Sequence, residues 1–181
     1  ALAELAKRVR GPEREQAAAP YLKMAEGYFR DFITLRPDQE MVMVGFLGNQ
    51  GRCDDALQLA ENGSGKGNPV DIATTVAGLV NTGSPTPQQI ERVEKILNSA
   101  LEKYPEEGAL QLALAELRII QQRYDEAEAI YRKILDNPEQ GDTKKFIAMN
   151  NLAVFLAFRN TKLDEALDLI NRAIEIMGPV A

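Results

Sequence analysis

Apolar and small residues recur at helical spacing along most of the chain. The segments Arg123–Ala127 and Lys162–Ala166 each form a turn that leads into a helix-like stretch, in which apolar or small residues occupy the fourth and seventh positions after the alanine. In both segments two acidic residues precede the alanine, and acidic residues are favourable at a helix N-terminus. Five such stretches can be recognised. Their anchor residues, separated by 31 to 39 positions, are Ala25, Ala56, Val93, Ala127 and Ala166.

The segments between these stretches have the composition of partner helices. Prolines that end a helix follow the stripes at positions 37, 105, 138 and 179. No stretch alternates apolar and polar residues as a half-buried strand does. The pattern therefore predicts an all-α protein of ten helices in five hairpins, with the first helix in residues 1–10. The predicted partner helices are residues 38–50, 70–81, 107–121 and 145–159. The predicted breaks are near residues 51–53, 62–69, 82–86, 105, 122–124, 138–143 and 160–162.

Two of the partner helices carry a leucine followed by a small residue, Leu114-Ala115 and Leu152-Ala153. The five anchored stretches would each form the second helix of a hairpin. Together with these stretches and the prolines that follow them, the two pairs resemble the tetratricopeptide repeat. The resemblance extends over residues 38–178 and more loosely over residues 1–37. The repeats are degenerate, since the signature tryptophan is absent and Arg118 stands where an aromatic residue is usual. The resemblance implies a right-handed α-solenoid of about five helix–turn–helix hairpins, forming one domain over residues 1–181.

Composition restricts the chemistry available to the chain. There is no histidine and a single cysteine, Cys53, so the usual metal ligands and the commonest general base are missing. The net charge of −6 opposes binding to a nucleic acid. We therefore expect no enzyme activity, no catalytic or metal site and no cofactor. We also expect no nucleic-acid partner and no membrane partner.

Two motifs have simpler structural interpretations. The segment Gly63–Gly67 superficially resembles a phosphate-binding loop, but Ala60 and Gly67 occupy the positions that require a glycine and a hydroxyl side chain. A flexible linker is the better interpretation. Three pairs of acidic residues coincide with predicted helix starts, where they favour the helix dipole. These pairs are Asp54/Asp55, Glu106/Glu107 and Asp125/Glu126.

The resemblance also implies a function, the binding of a peptide segment of another protein in a concave groove lined by the first helices. The candidate groove residues are Met41, Thr74, Leu112, Glu116, Asn150 and Val154. This set contains no lysine or arginine, which argues against a clamp for a carboxylate. Adjacent asparagines are unfavourable inside a helix. We expect one of Asn150 and Asn151 to bind a neighbouring helix, and Asn150 to be the better candidate for holding a peptide.

Three other kinds of function compete with peptide binding, namely a structural role, RNA binding and catalysis. The repeats could serve as a structural spacer, or as a self-association module that forms a homo-oligomer through exposed repeat ends. An RNA-binding helical repeat is a further alternative, and an enzyme is the weakest. We expect a fragment of a longer protein and, from the single cysteine, a cytoplasmic location.

Overall fold

The fold is a succession of antiparallel helices. The computed structural model describes residues 12–63, 66–81 and 84–178. The α-helices in these residues are α1 (Pro12–Leu35), α2 (Met41–Asn49), α3 (Cys53–Asn62), α4 (Pro69–Leu79), α5 (Pro87–Lys103), α6 (Gly108–Ile120), α7 (Tyr124–Asp136), α8 (Asp142–Phe158) and α9 (Leu163–Met177). A short 3-10 helix, Pro37–Gln39, lies between α1 and α2.

The predicted all-α repeat fold is confirmed. The described residues contain no strand, and each predicted break overlaps an interval between consecutive helices. All five anchor residues of the second-helix stripes are buried. The predicted first helix, residues 1–10, lies outside the described residues. The stripe that begins at Ala25 belongs to the long helix α1.

The chain divides between Ser84 and Pro85 into two compact units. In the first unit α2 packs against α1, α3 and α4. The Phe29 and Phe46 rings join α1 to α2, with centroids 4.8 Å apart. The Leu79 side chain of α4 packs directly on Gly48 of α2, in the space that a Cβ atom at position 48 would occupy. The missing side chain of Gly48 leaves room for this contact.

In the second unit each helix from α5 to α9 packs against the next along the chain, and α6 also contacts α8. Thr86 and Gln89 form a reciprocal capping box at the start of α5, as their spacing predicts. Glu107 caps α6 by accepting a hydrogen bond from the Ala109 N–H. The main core of this unit joins α6, α7, α8 and α9, and its fully buried members are Ala115, Tyr131, Ile134, Ala148, Leu152 and Leu156.

None of the helices in the described part of the chain combines the length and the apolar character needed to cross a membrane. The longest, α1, carries charged side chains along its length.

Candidate functional site

A small polar network ties α6, α7 and α8 together inside the second unit. The Asn151 side-chain amide of α8 donates a hydrogen bond to Glu116 of α6, with Nδ2 and Oε1 3.4 Å apart. Tyr131 of α7 is completely buried nearby. Burial and the negative charge of Glu116 raise the pKa of Tyr131 to about 12, and a hydrogen bond with Asn151 opposes that rise. Asn151 is therefore the asparagine that binds neighbouring helices.

Asn150 lies beside this network but on the open face of α8. Its side chain is exposed, and its Nδ2 lies 3.5 Å from Asn151 Oδ1, at the limit of a hydrogen bond. Val154, one turn further along, is 59% exposed. Because residues four apart share a helix face, Asn150 and Val154 form a polar and apolar pair on one surface.

Leu112 and Glu116 of α6 have a different environment. Leu112 is only 7% exposed and belongs to the core shared with α8, so it has little surface to offer a partner. Glu116 is half-buried, and its carboxylate accepts the hydrogen bond from Asn151. The alignment of Leu114-Ala115 with Leu152-Ala153 makes Leu112 equivalent to Asn150. The two differ in exposure because α8 covers this face of α6.

The remaining two candidates, Met41 and Thr74, belong to the first unit. Met41 begins α2 and Thr74 lies within α4, and both are half-buried. The Thr74 hydroxyl lies 2.9 Å from the Val70 carbonyl oxygen of its own helix, so its hydrogen is already engaged. The structure therefore brings Glu116, Asn150 and Val154 to neighbouring helices of one unit, whereas Met41 and Thr74 lie in the other.

The acidic pairs act in capping and ion pairing. Asp54 and Asp55 lie in the first turn of α3. The Lys144 ammonium and the Ala109 N–H both hold the pKa of Glu107 below its usual value. These environments match the helix-start interpretation of the acidic pairs.

The environment of the Gly63–Gly67 segment is unfavourable for a phosphate. Residues 64 and 65 of this segment lie outside the described residues. Gly63 packs directly against the carboxylate of buried Glu40, whose Oε1 would be 2.3 Å from a Cβ atom at position 63. A carboxylate so close would repel a bound phosphate. Among the described residues, no group of histidine, cysteine, aspartate and glutamate side chains is arranged to hold a metal ion.

Sequence comparison supports the repeat assignment for one part of the chain. No curated protein matches the sequence significantly. Residues 88–144, which span α5 to the start of α8, match the family model described as Tetratricopeptide repeat. The resemblance to the tetratricopeptide repeat that the sequence predicts is thereby confirmed for residues 88–144.

Proposed function

We propose that this protein is an interaction scaffold that binds a peptide segment of another protein along its first helices. The tetratricopeptide repeat in residues 88–144 supports a general role in protein–protein interaction. The observation that carries the more specific proposal is the exposure of Asn150 on α8, a helix whose neighbouring residues form the core. Met41 and Thr74 are proposed as the corresponding contacts in the first unit.

The side chains of the proposed site suit a peptide backbone. A side-chain amide carries both a donor and an acceptor, so Asn150 can pair with a peptide N–H and C=O at once. Asn151 and Glu116 hold the adjacent helix surface in place through their hydrogen bond. Val154 adds an apolar contact one turn away. Because Asn150 is neutral, its contribution to affinity changes little with salt concentration.

The test begins with peptides selected from a random displayed library on the folded chain. Binding of a selected peptide is then measured by titration calorimetry to the wild type, Asn150→Ala and Val154→Glu. Glu102→Ala serves as the control, because Glu102 is an exposed residue of α5, whereas the proposed contacts Asn150 and Val154 lie on α8. We expect both α8 variants to weaken binding by about tenfold or more and the control to leave it unchanged. Equal affinity for all four proteins would contradict the proposed site.

A second candidate function is self-association through α1. This helix carries a stripe of large apolar residues with the spacing of one helix face, and each is more than 40% exposed. The stripe consists of Tyr21, Met24, Tyr28, Phe32 and Leu35. Light scattering at increasing protein concentration would reveal an oligomer, and Tyr28→Glu should abolish it. A concentration-independent monomer mass would leave α1 with only a spacer role.

Catalysis and nucleic-acid binding are not part of the proposal. The acidic pairs that could suggest acid–base chemistry are engaged in helix capping and ion pairs, as Glu107 with Lys144 and Glu126 with Arg123 illustrate. We propose the cytoplasm as the location, supported by the single cysteine of the sequence, Cys53, which suits a reducing compartment.

A further inference from the structure

Helix α9 presents two apolar faces, of which only one is buried. Ala166, Leu169 and Ala173 pack into the core that includes α8. On a second face Leu163, Leu167 and Ile174 are 52%, 62% and 57% exposed, and Ile170 between them is half-buried. These four residues, the α9 stripe, are spaced by four, three and four positions, which places them in one line along the helix.

The same positions on α7 show what such a stripe does in this fold. Aligning Asp125-Glu126-Ala127 with Asp164-Glu165-Ala166 makes the α9 stripe equivalent to a stripe on α7. The equivalent residues, in order, are Tyr124, Glu128, Tyr131 and Leu135. That stripe is covered by α8: Tyr131 has no exposed surface, and the Tyr124 ring lies 5.8 Å from the Phe155 ring of α8. The equivalent positions on α7 therefore bind a helix.

The contacts between α7 and α8 also define the direction of the covering helix. Tyr124, at the start of α7, contacts Phe155 near the end of α8. Tyr131, about two turns later in α7, is hydrogen-bonded to Asn151, which comes earlier in α8. The covering helix is thus antiparallel to the helix it covers.

Charge indicates which kind of helix would suit α9. Each residue of the α9 stripe is followed by a polar residue, so an acidic rim adjoins the stripe. The rim residues, all exposed, are Asp164, Asp168, Asn171 and Glu175. Arg172 is the one basic residue within α9, and it lies 3.7 Å from Asp168. A second copy of α9 would bring one acidic rim against another, which is unfavourable.

At the equivalent position on α7, an exposed acidic residue lies near a basic residue of the covering segment. Asp125, which corresponds to Asp164, lies 3.6 Å from the guanidinium of Arg159, the residue that follows α8. The covering helix therefore brings a basic residue from its C-terminal end to this acidic position. Arg159 also stacks over the Tyr124 ring at 5.3 Å, so apolar cover and charge pairing occur together.

We propose that the α9 stripe binds a basic amphipathic helix of a partner protein. This helix runs antiparallel to α9, covers the four apolar residues and places a lysine or arginine of its last turn beside Asp164. The proposal goes beyond peptide binding at Asn150 and does not rest on it, because it concerns a different helix and different side chains.

The test uses two synthetic helical peptides of the same length as α9, with leucines at identical positions. One peptide carries lysines at its polar positions and the other carries glutamates. Fluorescence anisotropy should show binding of the lysine peptide alone, and added salt should weaken that binding. Equal binding of the two peptides would overturn the proposal, because the acidic rim would then have no role.

Variants of the chain locate the binding site of the lysine peptide. Ile174→Gln should weaken its binding by about tenfold or more, whereas Tyr104→Gln makes a comparable change at an exposed apolar side chain directly after α5 and should have little effect. Asp164→Lys should weaken binding and reduce its salt dependence. Since Ile174 is 57% exposed, thermal unfolding of Ile174→Gln should match that of the wild type.

Three results would contradict the proposal. Equal weakening by Ile174→Gln and Tyr104→Gln would indicate non-specific attraction to the acidic protein. Weaker binding of the lysine peptide to Asn150→Ala would place its binding site on the face of α8 that carries Asn150. A dimer that Ile174→Gln dissociates would identify a second copy of the chain, and not a basic partner helix, as the molecule that covers α9.

Discussion

The guanidinium of Arg118 lies 2.6 Å from the carboxylate of Glu94, which pairs a cation of α6 with an anion of α5. The Arg118 side chain is only 9% exposed, and Gln121 bonds to both members of the pair. Burial acts to raise the pKa of Glu94, but the hydrogen bonds from Gln121 and Arg118 outweigh it and lower that pKa. A charged network thus occupies a position where an aromatic residue is usual in the repeat.

Replacing Arg118 by methionine should destabilise the protein by about 2 kcal/mol. Methionine keeps the apolar stem but leaves Glu94 without its buried cation. Arg123→Met is the matched control, because Arg123 also lies near Glu94 but is 44% exposed, and it should cost less than about 1 kcal/mol. Urea unfolding measures both changes. Adding Glu94→Gln to Arg118→Met should recover part of the lost stability. A larger loss of stability in Arg123→Met than in Arg118→Met would contradict the stabilising role assigned to Arg118.

Stability should fall on acidification. The pKa of Glu107 is lowered chiefly by Lys144, and the pKa of Glu128 chiefly by Lys162 and then Arg132. A carboxylate with a lowered pKa in the folded state contributes stability above its unfolded pKa of about 4.3, and loses that contribution as the pH falls further. The free energy of unfolding, measured in urea at a series of pH values, should therefore decrease below about pH 5. Lys144→Met should make this decrease shallower, and an increase in stability at low pH would refute the interpretation.

The two adjacent asparagines should respond differently to truncation. Asn151→Ala removes the hydrogen bond to Glu116 and the partner of buried Tyr131, so it should destabilise the protein by about 1 kcal/mol. Asn150→Ala should change stability by less than about 0.5 kcal/mol, because its side chain is exposed. Chemical unfolding of the two variants in parallel decides the matter. A greater loss of stability for Asn150→Ala than for Asn151→Ala would assign the structural role to Asn150 and not to Asn151.

Enlarging the alanines at the anchor positions 127 and 166 should overpack the core. Ala127 has no exposed surface and Ala166 is 6% exposed. Replacement of either by leucine should cost about 1–3 kcal/mol, because the surrounding helices must move to make room. Ala129→Leu provides a control on the exposed side of α7. Thermal unfolding should separate the two buried sites from the control, and equal melting temperatures would mean that the helix faces are wrongly assigned.

Local pattern in the sequence was sufficient to predict the secondary structure. Helix starts and ends depend on neighbouring residues, as the capping box at Thr86 and Gln89 illustrates, so the breaks are visible in one dimension. The buried faces follow from spacing alone, and each anchor residue from Ala25 to Ala166 is buried. The absence of histidine and the single cysteine likewise predicted that the chain has few side chains suited to binding a metal or acting as a general base.

Only the tertiary structure decided which members of these faces remain available to a partner. Leu112 and Asn150 are equivalent when Leu114-Ala115 is aligned with Leu152-Ala153, yet Leu112 is covered by α8 whereas Asn150 is exposed. The stripes on α7 and α9 have the same spacing, but only α7 has a helix packed over it among the described residues. Helix formation depends on residues within a few positions of each other, whereas exposure depends on which distant segment packs alongside. The sequence by itself therefore determined the helices and their apolar faces, and the tertiary structure decided which of those faces are buried.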